Sequence, residues 1–235
     1  MFYIPKLRNS TKYQNLIFLP HFIIHTIIAL MKKIDVLGKL FGSSSVVKIM
    51  RLFLFNADKP HSFDEVSKKV KYSKDSIRKE VLDLESAGFI KKKLYFQKVE
   101  IGAGKFKNKK CQGFILNKDF HYLSALQNLL IKIPPFTARD IERRFKGVGS
   151  IKLLIISGVF IQEWDTVADI LIVGDNLNTS LVDRTVASLE SEIGRELTYV
   201  VFDTGEFEYR MNVYDKLIRD ILDYPHQKIV NRLGI

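Results

Sequence analysis

The residues with the clearest chemical potential lie between Ser73 and Lys110. Ser73, Lys74, Ser76, Arg78 and Lys79 form one polar group, and Lys105, Lys107, Lys109 and Lys110 form a second, denser in cations. A guanidinium is a planar fork of donors that matches a guanine edge, ammonium groups neutralise phosphates, and a serine hydroxyl both donates and accepts. Together these are the parts of a surface that reads duplex DNA. Gly102-Ala103-Gly104-Lys105 echoes a phosphate-binding loop. However, the earlier glycine is missing and Phe106 stands where a metal-binding Ser or Thr is needed, so a flexible turn explains it better.

The charge is distributed to match. Residues 31–120 hold 21 Lys and Arg against 10 Asp and Glu, whereas residues 121–235 hold 13 against 16. The basicity is local. A surplus confined to one segment is the electrostatic footprint of a nucleic-acid binder, because docking on phosphates releases counterions.

Local signals define the elements that must position these groups. Ser43-Ser44-Ser45 caps a helix whose Val46, Val47, Met50, Leu52, Phe53 and Phe55 make a broad apolar face, ended by 56–60. Ser62 followed by Glu65 is a capping box that opens a short helix over 63–70. After Lys71-Tyr72, Ser73 caps a third helix with Ile77, Val81 and Leu84 inward, closed by Gly88. Lys74, Ser76, Arg78 and Lys79 then project outward. Strands are expected over 90–100 and 111–116, joined by 101–110.

This order resembles the winged helix-turn-helix regulators, through Phe63 to Ser67, Tyr72 to Leu84 and the exit Leu84-Glu85-Ser86-Ala87-Gly88-Phe89-Ile90. The resemblance spans about 70 residues. It implies that the third helix enters the major groove, with Arg78 on a base edge, Ser76 on a base or phosphate, and Lys74 and Lys79 on phosphates. Lys105, Lys107, Lys109 and Lys110 are then expected at the tip of the wing.

Beyond 120 the pattern changes. Residues 122–133 read as a linking helix closed by Pro134-Pro135, and 137–146 as another. Short apolar runs at 151–156, 169–173 and 197–202 read as strands, 179–189 as a helix and 206–222 as one long helix. This half resembles a minimal nucleotidyltransferase of the polymerase-β-like type, in which a Gly-Ser turn and paired strand carboxylates hold two metal ions. Ser157-Gly158 stands in place of Gly-Ser, Val167-Ala168-Asp169 keeps one acid, and Thr198 falls near the place of a third. One carboxylate cannot build a two-metal clamp. Ser157, Gly158 and Asp169 are therefore expected either as a relic nucleotide and metal site or, in the case of Asp169, as a strand-end acid satisfied by backbone or water. Asp165, Asp175 and Asp203 lie in expected loops from which they can approach it.

The expected fold class is α+β, with an N-terminal winged helix over 31–120, a helical linker over 121–135 and a small α/β nucleotidyltransferase-like domain over 136–235. Residues 1–30 are read as an upstream extension, with Met31 as a natural start. Their apolar run of sixteen residues is shorter than the roughly 20 that span a bilayer; the alternative is an interfacial or membrane-anchoring helix, and if residues 1–30 are absent no stable membrane association is expected. The single cysteine, Cys111, and five scattered histidines give neither an internal disulfide nor a zinc pattern. No metal and no cofactor are expected, and the location is cytoplasmic. The leading function is a sequence-specific transcriptional regulator, a homodimer on double-stranded DNA, whose second domain serves dimerisation, sensing or partner docking. The alternatives are a nucleotidyltransferase acting on nucleic acid or protein, and a protein-interaction adaptor.

Overall fold

A computed structural model of the chain describes residues 35–100, 106–133 and 135–235. The expectations for residues 1–30 and for Lys105 lie outside the described residues. Leu37–Ile235 makes one compact unit of mixed α+β structure.

Its first part is helical: α1 (Val36–Leu40), α2 (Ser44–Phe55), α3 (Phe63–Val70) and α4 (Lys74–Ser86). The boundaries follow the capping chemistry. The Ser43 hydroxyl accepts from Val46 N at 3.2 Å. Ser62 and Glu65 cap one another through Glu65 N to Ser62 Oγ and Ser62 N to Glu65 Oε2. The end of α4 is closed by Gly88 N to Glu85 O and Phe89 N to Leu84 O, the paired bonds of a Schellman turn. Ile49, Leu52 and Phe53 of α2, Val66 and Val70 of α3, and Ile77 and Val81 of α4 are all buried in one core, with Phe89, Ile90, Phe114 and Leu116 beneath them.

A hairpin follows, β1 (Ile90–Glu100) with β2 (Phe106–Leu116), paired antiparallel from Ile90 opposite Leu116 to Glu100 opposite Phe106. The return strand thus begins five residues before the expected Cys111. Phe106 to Lys110 show no apolar alternation. They are strand because the register set at the buried base carries outward along eleven residues of β1 through backbone bonds, which need no particular side chain.

The rest comprises α5 (Leu123–Leu130), α6 (Ala138–Arg144), β3 (Ser150–Ile156), a 3-10 turn at Gly158–Phe160, β4 (Ile170–Asp175), α7 (Thr179–Ile193), β5 (Tyr199–Phe202), α8 (Thr204–Asn212), α9 (Lys216–Asp223) and β6 (Gln227–Asn231). The sheet runs β5-β4-β3-β6, with β4 and β5 parallel and the other pairs antiparallel. Alternate residues face opposite sides. Leu154, Ile156, Ile170 and Ile172 pack against α6 and α7, while Leu153, Ile155, Leu171 and Val173 pack against Phe207 of α8 and Ile218 and Ile221 of α9.

Two expectations are corrected here. The long helix over 206–222 is two helices, broken where Tyr214 adopts φ 54° and the Asp215 carboxylate accepts from Leu217 N and Ile218 N. Apolar periodicity runs through the break, but an aspartate that caps a new start competes with continuing the old helix. Strand β6 was not anticipated. It is five residues long, and its pairing with β3 is set by a partner more than seventy residues away.

Helix α2 joins the two halves. It packs against α7 as well as against α3, α4 and α5. Its Arg51 is 7% exposed, and the guanidinium donates through Nε to Leu130 O and through Nη1 to Glu192 O, each at 3.1 Å. Both acceptors lie at helix C-terminal ends, where the partial negative charge suits a buried cation.

Candidate nucleic-acid interface

Helix α4 is two-faced. Ile77 and Val81 are fully buried, while Ser73, Lys74, Ser76, Arg78 and Lys79 are exposed. The exposed groups are not equally available. The Ser76 hydroxyl donates to Ser73 O at 2.8 Å and accepts from Ser73 Oγ at 3.0 Å, so it is engaged in the cap itself. Lys74 pairs with Asp64 of α3. Both groups are well exposed, and such a pair exchanges readily for a phosphate because it is worth only about 0–1 kcal/mol. The Arg78 guanidinium lies 5.4 Å from the centre of the Phe63 ring, a cation–π contact made by an otherwise exposed side chain. Lys79 is exposed with no ion pair among the described residues.

Over its own length α4 carries Lys74, Arg78 and Lys79 against Asp75, Glu80, Asp83 and Glu85. The cationic field therefore comes from the hairpin. Lys107, Lys109 and Lys110 are exposed, but they lie in β2 opposite Val99, Gln97 and Phe96, not at the loop tip where the sequence places them. Strand alternation puts Lys107 and Lys109 on one face and Lys110 on the other, so the hairpin is cationic on both sides. Lys93, exposed on β1 opposite Gly113, adds to it and was missed. Its signal is the Lys91-Lys92-Lys93 run.

The hairpin is tied to the helices through Glu65. Its Oε2 accepts from the Tyr95 hydroxyl at 2.6 Å, and its Oε1 from Gln97 Nε2 at 3.2 Å. Burial alone would raise this carboxyl, but the hydrogen bonds from Tyr95 and Ser62 hold it below its ordinary value. Burial and the same carboxylate push the Tyr95 phenol up to about 12, so it remains a donor at every ordinary pH.

Ser157, Gly158 and Asp169 do come together, in a closed arrangement. Asp169 is 3% exposed and immediately precedes β4, and of the two expected readings it takes that of a strand-end acid satisfied by backbone. Its Oδ1 accepts from Val159 N at 3.2 Å, its Oδ2 accepts from Thr198 N at 2.9 Å, and Arg195 Nη2 lies 3.4 Å from Oδ2. Ser157 Oγ donates to Ala168 O. A Cβ on Gly158 would lie 2.1 Å from Asp169 Oδ1, so the glycine is there to admit the carboxylate. The acid fastens the 3-10 turn to β5. Asp165, Asp175 and Asp203 do not gather around it: among the described residues no three His, Cys, Asp or Glu side chains are grouped to hold a metal ion. Asp203 is itself a cap, accepting from Glu206 N at 2.7 Å.

This closure makes a prediction. Asp169→Asn keeps one acceptor oxygen but turns an amide NH2 toward a backbone donor, and is expected to cost about 2 kcal/mol of stability. Urea unfolding measures it, and an unchanged midpoint would show that the two backbone bonds contribute little.

Among the described residues no helix is long and apolar enough to cross a membrane. No family model, curated protein or solved structure matches this chain.

Proposed function

We propose that the chain is a DNA-binding transcriptional regulator of the winged helix-turn-helix type, in which α3 and α4 form the helix-turn-helix and β1 and β2 the wing. The observation that carries this reading is the combination of a helix buried on Ile77 and Val81, with Arg78 and Lys79 outward, and a tied hairpin bearing exposed Lys107, Lys109 and Lys110. A helix of this size fits a B-DNA major groove, where Arg78 reads a base edge. The hairpin lysines hold flanking phosphates. The second half is read as a nucleotidyltransferase-like unit turned to a supporting role, because its one matching carboxylate is spent on Val159 and Thr198 amides. A homodimer places two such helices on a symmetric operator.

The test is binding of the full chain to genomic duplex fragments, including its own upstream region, at low and moderate salt. Affinity is expected to fall at least roughly tenfold between 50 and 200 mM salt as the lysines release counterions. Arg78→Ala is expected to cost about 2 kcal/mol on the preferred sequence and to relax preference, whereas Lys107→Ala and Lys109→Ala weaken all sequences alike. Binding that ignores salt, or equal losses on specific and random DNA for Arg78→Ala, would remove the assigned roles.

A further inference from the structure

A cleft of about 700 Å³ lies between α3 and the C-terminal end of α7. Its volume is that of a small-molecule site. Ala187 and the nearly covered Leu52 and Val70 lie at its floor, and Lys59, Lys68, Lys69, Lys71 and Arg195 line it with cations. Four acids also reach the lining, and each has a partner of its own. Asp64 pairs with Lys74, Glu65 holds Ser62 N and Tyr95, Glu190 accepts from Leu197 N, and Glu196 pairs with Lys69 at 2.9 Å. Lys59, Lys68 and Lys71 have no ion pair among the described residues. These three lysines line a part-apolar hollow and, although Glu196 also feels Lys59, five cations outnumber four acids there, so the lining favours an anion.

We infer that this cleft binds a small phosphorylated molecule with an apolar body, and that occupancy regulates docking on DNA. The regulatory half rests on the DNA-binding reading above. Coupling has a physical route. Lys71 is the left-handed residue, φ 57°, at the turn that joins α3 to α4, and the turn is held by Tyr72 N to Ser67 O and Ser67 Oγ to Tyr72 O. A phosphate drawn onto Lys68 and Lys71 pulls on the segment that sets the angle of α4. Arg195, on the opposite wall, has its guanidinium 5.9 Å from the centre of the Trp164 ring. Trp164 is the only tryptophan of the chain, so its fluorescence reports, without a label, on a ligand that displaces the Arg195 guanidinium.

The experiment titrates the full chain with phenyl phosphate, inorganic phosphate and phenol, followed by Trp164 fluorescence and by calorimetry. Phenyl phosphate is expected to saturate and to bind several-fold more tightly than inorganic phosphate, because the ring covers the apolar floor. The Lys68→Ala/Lys71→Ala double variant should weaken it about tenfold, since each substitution removes a charge from an exposed side chain without touching the core. Lys146→Ala, in the exposed turn after α6, should leave it unchanged. No saturable heat or fluorescence change up to millimolar phenyl phosphate, or equal affinity in the double variant, would overturn the site. Saturating phenyl phosphate should also shift the DNA dissociation constant several-fold in the wild type and not in the double variant. Ligand binding with an unchanged DNA constant would overturn the regulatory half. Absence of DNA binding in both states would overturn the regulator reading and leave the anion site standing.

Discussion

Gly194→Ala is expected to remove roughly 4 kcal/mol of folding stability. Gly194 ends α7 at φ 94°, where an alanine costs about 1–2 kcal/mol in backbone strain alone. The larger part is contact. An added Cβ would lie 2.6 Å from both Arg51 C and Leu52 N, which are backbone atoms of α2 and cannot rotate away. The carbonyl of Gly194 also accepts from Asn56 Nδ2 at 2.9 Å, so pushing the helices apart strains a bond at the end of α2. Separating two packed helices by the width of a methyl costs typically 1–3 kcal/mol more. Gly147→Ala provides the comparison. Its φ is 84° but its Cβ would meet nothing within 4 Å among the described residues, so only the strain remains. Denaturant midpoints of the two variants measure the difference, and equal losses would show that the close approach of α2 and α7 carries no energy.

The second large effect is in pH. His61 is fully buried, neither ring nitrogen has a hydrogen-bond partner among the described residues, and its ring meets Phe53 edge-on at 5.8 Å. Burial pushes its pKa from 6.5 down to about 4. The Glu65 carboxylate pulls weakly the other way, while Lys69 and Lys59 add to the fall. Between these values the unfolded chain takes up a proton that the folded chain refuses. The contribution is therefore complete above pH 6.5 and is lost progressively as the pH falls toward 4, by about 3 kcal/mol in all. His61→Leu removes the titrating ring and its unpaired nitrogens while keeping an apolar filling. The stability of the wild type relative to this variant should fall by that amount between pH 7.5 and pH 4. A constant difference across the range would mean that the folded protein admits the proton.

Legibility in the sequence follows the range of the interaction that decides each element. The boundaries of α3 and the start of α4 are readable because Ser62, Glu65 and Ser73 act on amides three residues away. The outward set Lys74, Ser76, Arg78 and Lys79 follows from helical period once Ile77 and Val81 are inside. The pairing of β6 with β3 and the reach of β2 down to Phe106 depend on distant strands, and nothing local announces them. Asp169 reads as one acid of a pair. Only folding shows Val159, Thr198 and Arg195 closing over it, from ten residues before to twenty-nine after. The cleft lysines sit in a visible Lys68-Lys69-Val70-Lys71 run. Their other wall, Glu190 to Glu196, is more than a hundred residues distant, so the run reads as an ordinary turn until the chain is folded.

Arg51 sets a limit on how this protein can be dissected. A fragment ending near residue 120 keeps the arginine but discards Leu130 O and Glu192 O, leaving a cation on α2 without these acceptors and beside an apolar strip that α7 had covered. A fragment beginning near residue 136 in turn loses the guanidinium that donates to Glu192 O near the end of α7. Each piece inherits half of a bargain struck across the whole chain, so the smallest unit worth purifying intact is Leu37–Ile235.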